Sequence, residues 1–285
     1  MRETSNPVFR SLPKQRGGYA QFGTGAAQTQ QGYYQADPYM APYQEAPYRE
    51  AKVSRPVTID DVVTKTGITL GVLTAAAVVS FYLVTSNLAL ALPLTLIGAL
   101  GGFGLVMLAT FARKQDNPAI VLSYAVLEGM ALGAISFLFN FQVSHANAGA
   151  LIGEAILGTF GVFFGMLVVY KTGAIRVTPK FTRMLVAAMF GVLALMLGNF
   201  LLAMFGVGGG TGLGLRSGGP IAIIFSLVCI GVAAFSFLID FDAADQMIRA
   251  GAPEKAAWGI ALGLTVTLVW LYLEILRLLS YFQER

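Results

Sequence analysis

The sequence predicts an all-α polytopic membrane protein with seven transmembrane helices, and three observations point there. Seven long apolar blocks with almost no charge fill the chain after residue 60. Each is close to the roughly 20 residues that cross a hydrocarbon core about 30 Å thick at 1.5 Å per residue. Hydrophobic residues make up 56% of the chain and charged residues 12%, well under the roughly 25% of a soluble domain. The basic residues gather in every second connection between the blocks, as alternating crossings require. Buried core helices of soluble proteins are shorter and keep a polar stripe that these blocks lack. A transmembrane barrel needs segments of about ten residues alternating in polarity, a pattern not followed here.

From the amino terminus, residues 1–60 hold no apolar core of signal-peptide length, and residues 1–56 form a stretch of their own. They are rich in Gly, Gln, Pro, Ala and Tyr, and bury too little apolar area to offset the entropy of ordering. They read as a disordered cytoplasmic tail. Tyr33, Tyr34, Tyr39, Tyr43 and Tyr48 also suit a low-complexity segment that recruits protein partners. In Val57–Lys65, Thr58 caps a helix that Asp60 and Asp61 favour in its first turn. The membrane domain, residues 57–285, begins here. Its blocks run Ile68 to Thr85, Leu90 to Phe111, Pro118 to Phe139, Gly149 to Tyr170, Met184 to Gly206, Pro220 to Ile239 and Ala256 to Phe282.

The formal charge of +4 is informative by its location. Arg2, Arg10, Lys14, Arg16, Arg49, Lys52, Arg55 and Lys65 precede the first block. Arg113 and Lys114 follow the second; Lys171, Arg176, Lys180 and Arg183 follow the fourth; Arg249 and Lys255 follow the sixth. The alternate connections carry only Arg216, in the glycine-rich stretch 206–219. The positive-inside rule therefore places the amino terminus in the cytoplasm and the carboxyl terminus outside. An odd number of spans demands the same.

A charge at membrane depth costs a few kcal/mol, which makes each one a functional candidate. Glu128 lies ten residues into the third block, about 15 Å along the axis and near the midplane. Its neighbours Gly129, Ala131 and Gly133 admit another helix. It reads either as a protonated acid bonded to that helix or as a proton- or cation-responsive group in a polar cavity. LIDFDAADQMI closes the sixth block with Asp240, Asp242 and Asp245, at the expected cytoplasmic interface. Asp242 and Asp245 share a helix face and Asp240 points elsewhere. Carboxylates held close share a proton or a cation. Acids at a helix carboxyl terminus oppose its dipole, a cost that a basic or metal partner offsets; otherwise the acidic end simply faces water.

In LYLEILRLLSYF, Glu274 and Arg277 lie three apart and can neutralise each other within one helix. Trp270, Tyr272, Tyr281 and Phe282 suggest an interfacial aromatic belt. Cys229, the only cysteine, reads as a quiet packing residue, Asn199 as a helix–helix hydrogen bond and His145 as a solvated loop residue. The chain has no HExxH, GxSxG or P-loop motif, and the glycine run Val207–Gly219 follows no strand. No lysine lies inside a span, so a retinal Schiff base has no nitrogen on which to form. An enzyme, a cofactor and a nucleic-acid partner are not expected.

On these residues the chain resembles the transmembrane Bax inhibitor motif family, in its bacterial, actinobacterial-type branch, over about residues 57–282. The resemblance rests on seven spans, on YAVLEGMALGAIS, FSFLIDFDAADQMI and LVWLYLEILRLLSYF, and on the SNPVF and VTIDDVV segments. It implies six helices around a central seventh, and a pH-sensitive calcium leak protein of the bacterial cytoplasmic membrane. In that scheme an aspartate ending span six pairs with an acid in span seven, and a base at the inner end of span two latches the closed state. FSFLIDFD puts the first role on Asp242, and ATFARKQ puts the latch on Arg113, with Lys114 as substitute. For the span-seven acid, the local pattern selects Glu274, whereas a gap-free count back from Arg277 lands on Thr267. Asp240 is then the alternative second acid.

The expected function is therefore a cation leak channel or permeability regulator gated by protonation. Calcium is favoured because hard carboxylate oxygens suit it, with Asp240 and Asp242 as candidate metal ligands. One alternative is a non-conducting regulatory protein that binds partners through its tail. Another is a proton-coupled transporter with Glu128 as relay.

Overall fold

The first helix starts where its sequence implies. Thr58 Oγ1 accepts the Asp61 N–H, and Asp61 Oδ2 accepts the Thr58 N–H, closing a capping box. The computed structural model describes residues 55–142 and 148–283. The tail up to residue 54, and His145, lie outside the described residues.

Seven helices follow: α1 Ile59–Ser86, α2 Ala91–Phe111, α3 Pro118–Gln142, α4 Ala148–Thr172, α5 Pro179–Met204, α6 Pro220–Arg249 and α7 Ala256–Gln283. All seven are long and apolar enough to cross a membrane. Two depart from their apolar blocks. α1 begins nine residues before Ile68, because the capping box and Asp60 stabilise a polar first turn. α6 continues ten residues past Ile239, because DFDAADQMIR holds nothing that breaks a helix before Gly251. At Gly251 the chain turns left-handed (φ 64°), with the Ala252 N–H bonded to Met247 O and the Gly251 N–H to Ile248 O.

In lipid, helices associate by van der Waals fit rather than by leaving water, so small residues mark the closest contacts. Gly129 and Gly133 of α3 lie directly on the α1 backbone at Leu73 and Ala77, where a Cβ would collide. α3 is thus held between α1 and α2. α7 packs on α1, α3, α4 and α6, while α2 rests chiefly on α3 and α5 on α6. The most apolar stretch of α7 is 67% buried, against 11–22% for α1, α2, α4 and α5. Leu268, Leu271 and Leu276 of α7 form the main core with Phe237 and Phe241 of α6 and Leu151 of α4. Phe163 of α4 meets Phe237 edge-on at 5.3 Å.

The segment before α1 is tied to the α6–α7 connection. The Val57 N–H bonds to Ala252 O and the Glu254 N–H to Arg55 O. Arg55 pairs with Asp61 at 2.7 Å and with Glu254 at 3.4 Å, and Lys65 reaches Glu254 at 3.2 Å. Lys255 in turn pairs with Asp116 of the α2–α3 connection at 2.6 Å. This end of the bundle, which carries Arg113, Lys114, Arg249 and Lys255, is called the basic end below.

Candidate functional site

Between α2, the α2–α3 connection, α6 and α7 lies a cavity of about 310 Å³. Its lining runs from exposed Arg113 and Gln115 at the basic end to Ala243, Gly259 and Gly263. Asp240 lies on its wall. The α6 extension puts this aspartate nine residues inside the helix end, about 14 Å along the axis, rather than at a helix terminus. Thr267 of α7 donates its hydroxyl to Asp240 Oδ2 at 2.7 Å. The position reached by the gap-free count is therefore the one that faces a span-six carboxylate.

Asp242 sits about 200° around the helix from Asp240 and accepts Gln246 Nε2 at 2.6 Å. The two carboxylates do not converge on one ion. No group of three or more His, Cys, Asp or Glu able to hold a metal occurs among the described residues. Asp245 is the acid that does sit in the last turn of α6, and Arg249 offsets its conflict with the dipole at 2.8 Å. The Tyr170 hydroxyl also points at Asp245, at 3.5 Å.

Arg113 has an unusual backbone. It follows α2 in the left-handed region (φ 52°), with its N–H bonded to Thr110 O and the Lys114 N–H to Ala109 O. This is the termination that Gly251 provides for α6, with an arginine in the place glycine usually takes. A side chain there costs about 1–2 kcal/mol, the kind of strain that collects at functional positions. Arg113 and Asp240 line the same cavity, and Arg113 makes no ion pair among the described residues. Lys114 does not line it.

Glu274 lies seven residues beyond Thr267, about 10 Å further from the basic end, and does not meet Asp240. It is 2% exposed and pairs with Arg277 at 2.7 Å, while its Oε2 has no hydrogen-bond partner among the described residues. Glu128 is half-buried and lies against α2, where a Cβ on Gly102 would sit 2.5 Å from Glu128 Oε2. It has no hydrogen bond or ion pair among the described residues.

Other expectations are placed differently. Asn199 accepts the Leu213 N–H at 2.8 Å and so fastens a connection rather than a second helix. Tyr272 is not part of a belt, because its hydroxyl bonds Ser136 of α3 at 2.8 Å inside the bundle. Cys229 is buried with Val192 and Phe225, as a packing residue should be. The sequence reading passed over Asp116 and Glu254 because it scored the connections by their bases alone. It also passed over Glu154, a charge near the start of α4 that is exposed.

No curated protein matches the chain. A match to the family described as Bax inhibitor 1 like covers residues 6–284. With seven spans and a match over nearly its whole length, the chain is a multi-pass membrane protein that belongs to the Bax inhibitor 1 like family.

Proposed function

We propose that the protein is a cation leak pathway, with calcium the favoured ion, whose gate is set by protonation of Asp240. The observation that carries this is the cavity that brings Arg113 and Asp240 together from the basic end, with Thr267 closing over the carboxylate. In the proposed orientation the basic end faces the cytoplasm. The charged groups around the cavity besides Asp240 are Arg113, just after α2, and Asp116 from the α2–α3 connection, the latter neutralised by Lys255; α7 lines it with uncharged residues, and its Thr267 bonds Asp240.

An ionised Asp240 accepts the threonine hydroxyl and attracts the Arg113 guanidinium, drawing α2, α6 and α7 together. A neutral Asp240 loses that attraction, so acid favours the open state. Calcium takes six to eight oxygens when firmly bound. One carboxylate and one hydroxyl offer far fewer, which suits passage, since conduction needs weak binding.

The test is flux of calcium, magnesium and potassium from proteoliposomes over a series from mildly acidic to alkaline pH. Asp240→Asn is expected to conduct independently of pH, whereas Asp242→Asn keeps the wild-type profile. An Asp240→Asn protein with an unchanged pH profile would remove the gate. Glu128, without a hydrogen bond or ion pair among the described residues, supports a second reading, a proton-coupled transporter with that acid as relay. Substrate-dependent acidification lost in Glu128→Gln would decide for it.

A further inference from the structure

The larger cavity, about 490 Å³, is a lateral groove remote from the basic end. Its rims are α1 and α4, which do not pack closely on one another, and its floor is α3 and α7. The α1 rim includes Val78 and Tyr82, and the α4 rim includes Ile156 and Phe160, all of them partly open to the surroundings. Leu268 and Tyr272 of α7 lie on the floor.

The position of the groove in the membrane follows from the helix numbering. Tyr82 is four residues from the end of α1, and Gly149 is one residue from the start of α4. Leu70 and Phe160 mark the deep limit, roughly 18–24 Å along their helices from that end. The groove therefore opens beside the α1–α2 and α3–α4 connections and runs inward past the middle of α1. It is about as long as one leaflet's share, some 15 Å, of a hydrocarbon core.

The lining defines the occupant chemically. Ser136 and Tyr272, the polar pair on the floor, satisfy each other. Thr159 turns its hydroxyl to Ala155 O in its own helix. Little is left for water to bond, and an apolar cavity of this kind takes hydrocarbon or stays dry. Left empty, its walls forfeit their dispersion contacts. The groove's exposed rim residues belong to α1 and α4, whose most apolar stretches are only 22% and 11% buried inside the bundle.

We propose that this groove seats one acyl chain of a bilayer lipid, drawn from the leaflet next to the α1–α2 connection. The inference does not depend on the gate described above. The test uses the full chain in phosphatidylcholine vesicles whose acyl chains carry a diazirine, with adducts mapped by peptide mass spectrometry. Adducts are expected on Leu268, Val269 and Tyr272, which line the groove and belong to the most enclosed helix. Ile156→Trp, which fills the groove from its rim, is expected to cut floor adducts several-fold. Val78→Trp should do the same from the other rim. Leu157→Trp, at a site 75% exposed and outside the groove, should leave them unchanged. Adducts confined to outward residues such as Leu157 would overturn the proposal, whether a second copy, residues 1–54 or nothing fills the groove. So would floor adducts that neither rim variant reduces.

Discussion

Replacing Arg113 separates its backbone from its charge. Arg113→Ala removes the guanidinium but keeps a Cβ in the left-handed region, whereas Arg113→Gly removes both. Left-handed geometry costs a residue with a Cβ about 1–2 kcal/mol. Glycine returns about 0.5–1 kcal/mol of that through its more flexible unfolded chain. The glycine variant should therefore exceed the alanine variant in stability by about 1 kcal/mol, or about 3 °C in thermal unfolding for a domain of this size. Intrinsic fluorescence in a fixed detergent would read the transition, with pH and lipid content held constant. Both variants should leak cations equally at neutral pH and more than wild type, because both have lost the guanidinium that lines the cavity with Asp240. A glycine variant less stable than the alanine variant would show that the left-handed turn carries no strain. Wild-type flux in both would show that the guanidinium holds nothing closed.

Other perturbations test neighbouring links. Glu274→Gln leaves Arg277, 12% exposed, with no carboxylate and should cost about 3 kcal/mol, read as a lower unfolding temperature. Arg249→Ala breaks a pair whose arginine is 79% exposed and should cost no more than about 0.5 kcal/mol in the same assay. Thr58→Ala opens the capping box and should cost about 1 kcal/mol, with faster amide exchange confined to the first turn of α1. Thr267→Val takes away the hydroxyl that Asp240 accepts and should raise neutral-pH cation flux. Unchanged flux would mean that the contact does not restrain the gate.

Much of the fold was legible because the bilayer sets a length that only a few sequences meet. The span limits at Phe111, Pro118, Pro220 and Ala256 fall where hydropathy places them. The capping box at Thr58 was legible for a local reason, since a hydroxyl and a carboxylate three residues apart satisfy the same turn. The last ten residues of α6 were not, because DFDAADQMIR is helix-forming without being predominantly apolar. Gly251 marked their end, and only reading the stop signal together with hydropathy would have found it. The facing of Asp240 and Thr267 depends on the axial register of two helices, which no single helix encodes. Counting residues reached Thr267, but only the packed pair shows what it touches. The left-handed Arg113 was invisible, because sequence reasoning looks for glycine at such a turn.

The helix α5 rests chiefly on α6, and none of its residues lines either cavity. Drawn from the bilayer by a mechanical probe, it would part from its neighbours at the lowest force of the seven. Both hollows, and the walls that shape them, would stay behind intact. The proposed gate and the proposed lipid groove would thus both outlast the loss of this one span.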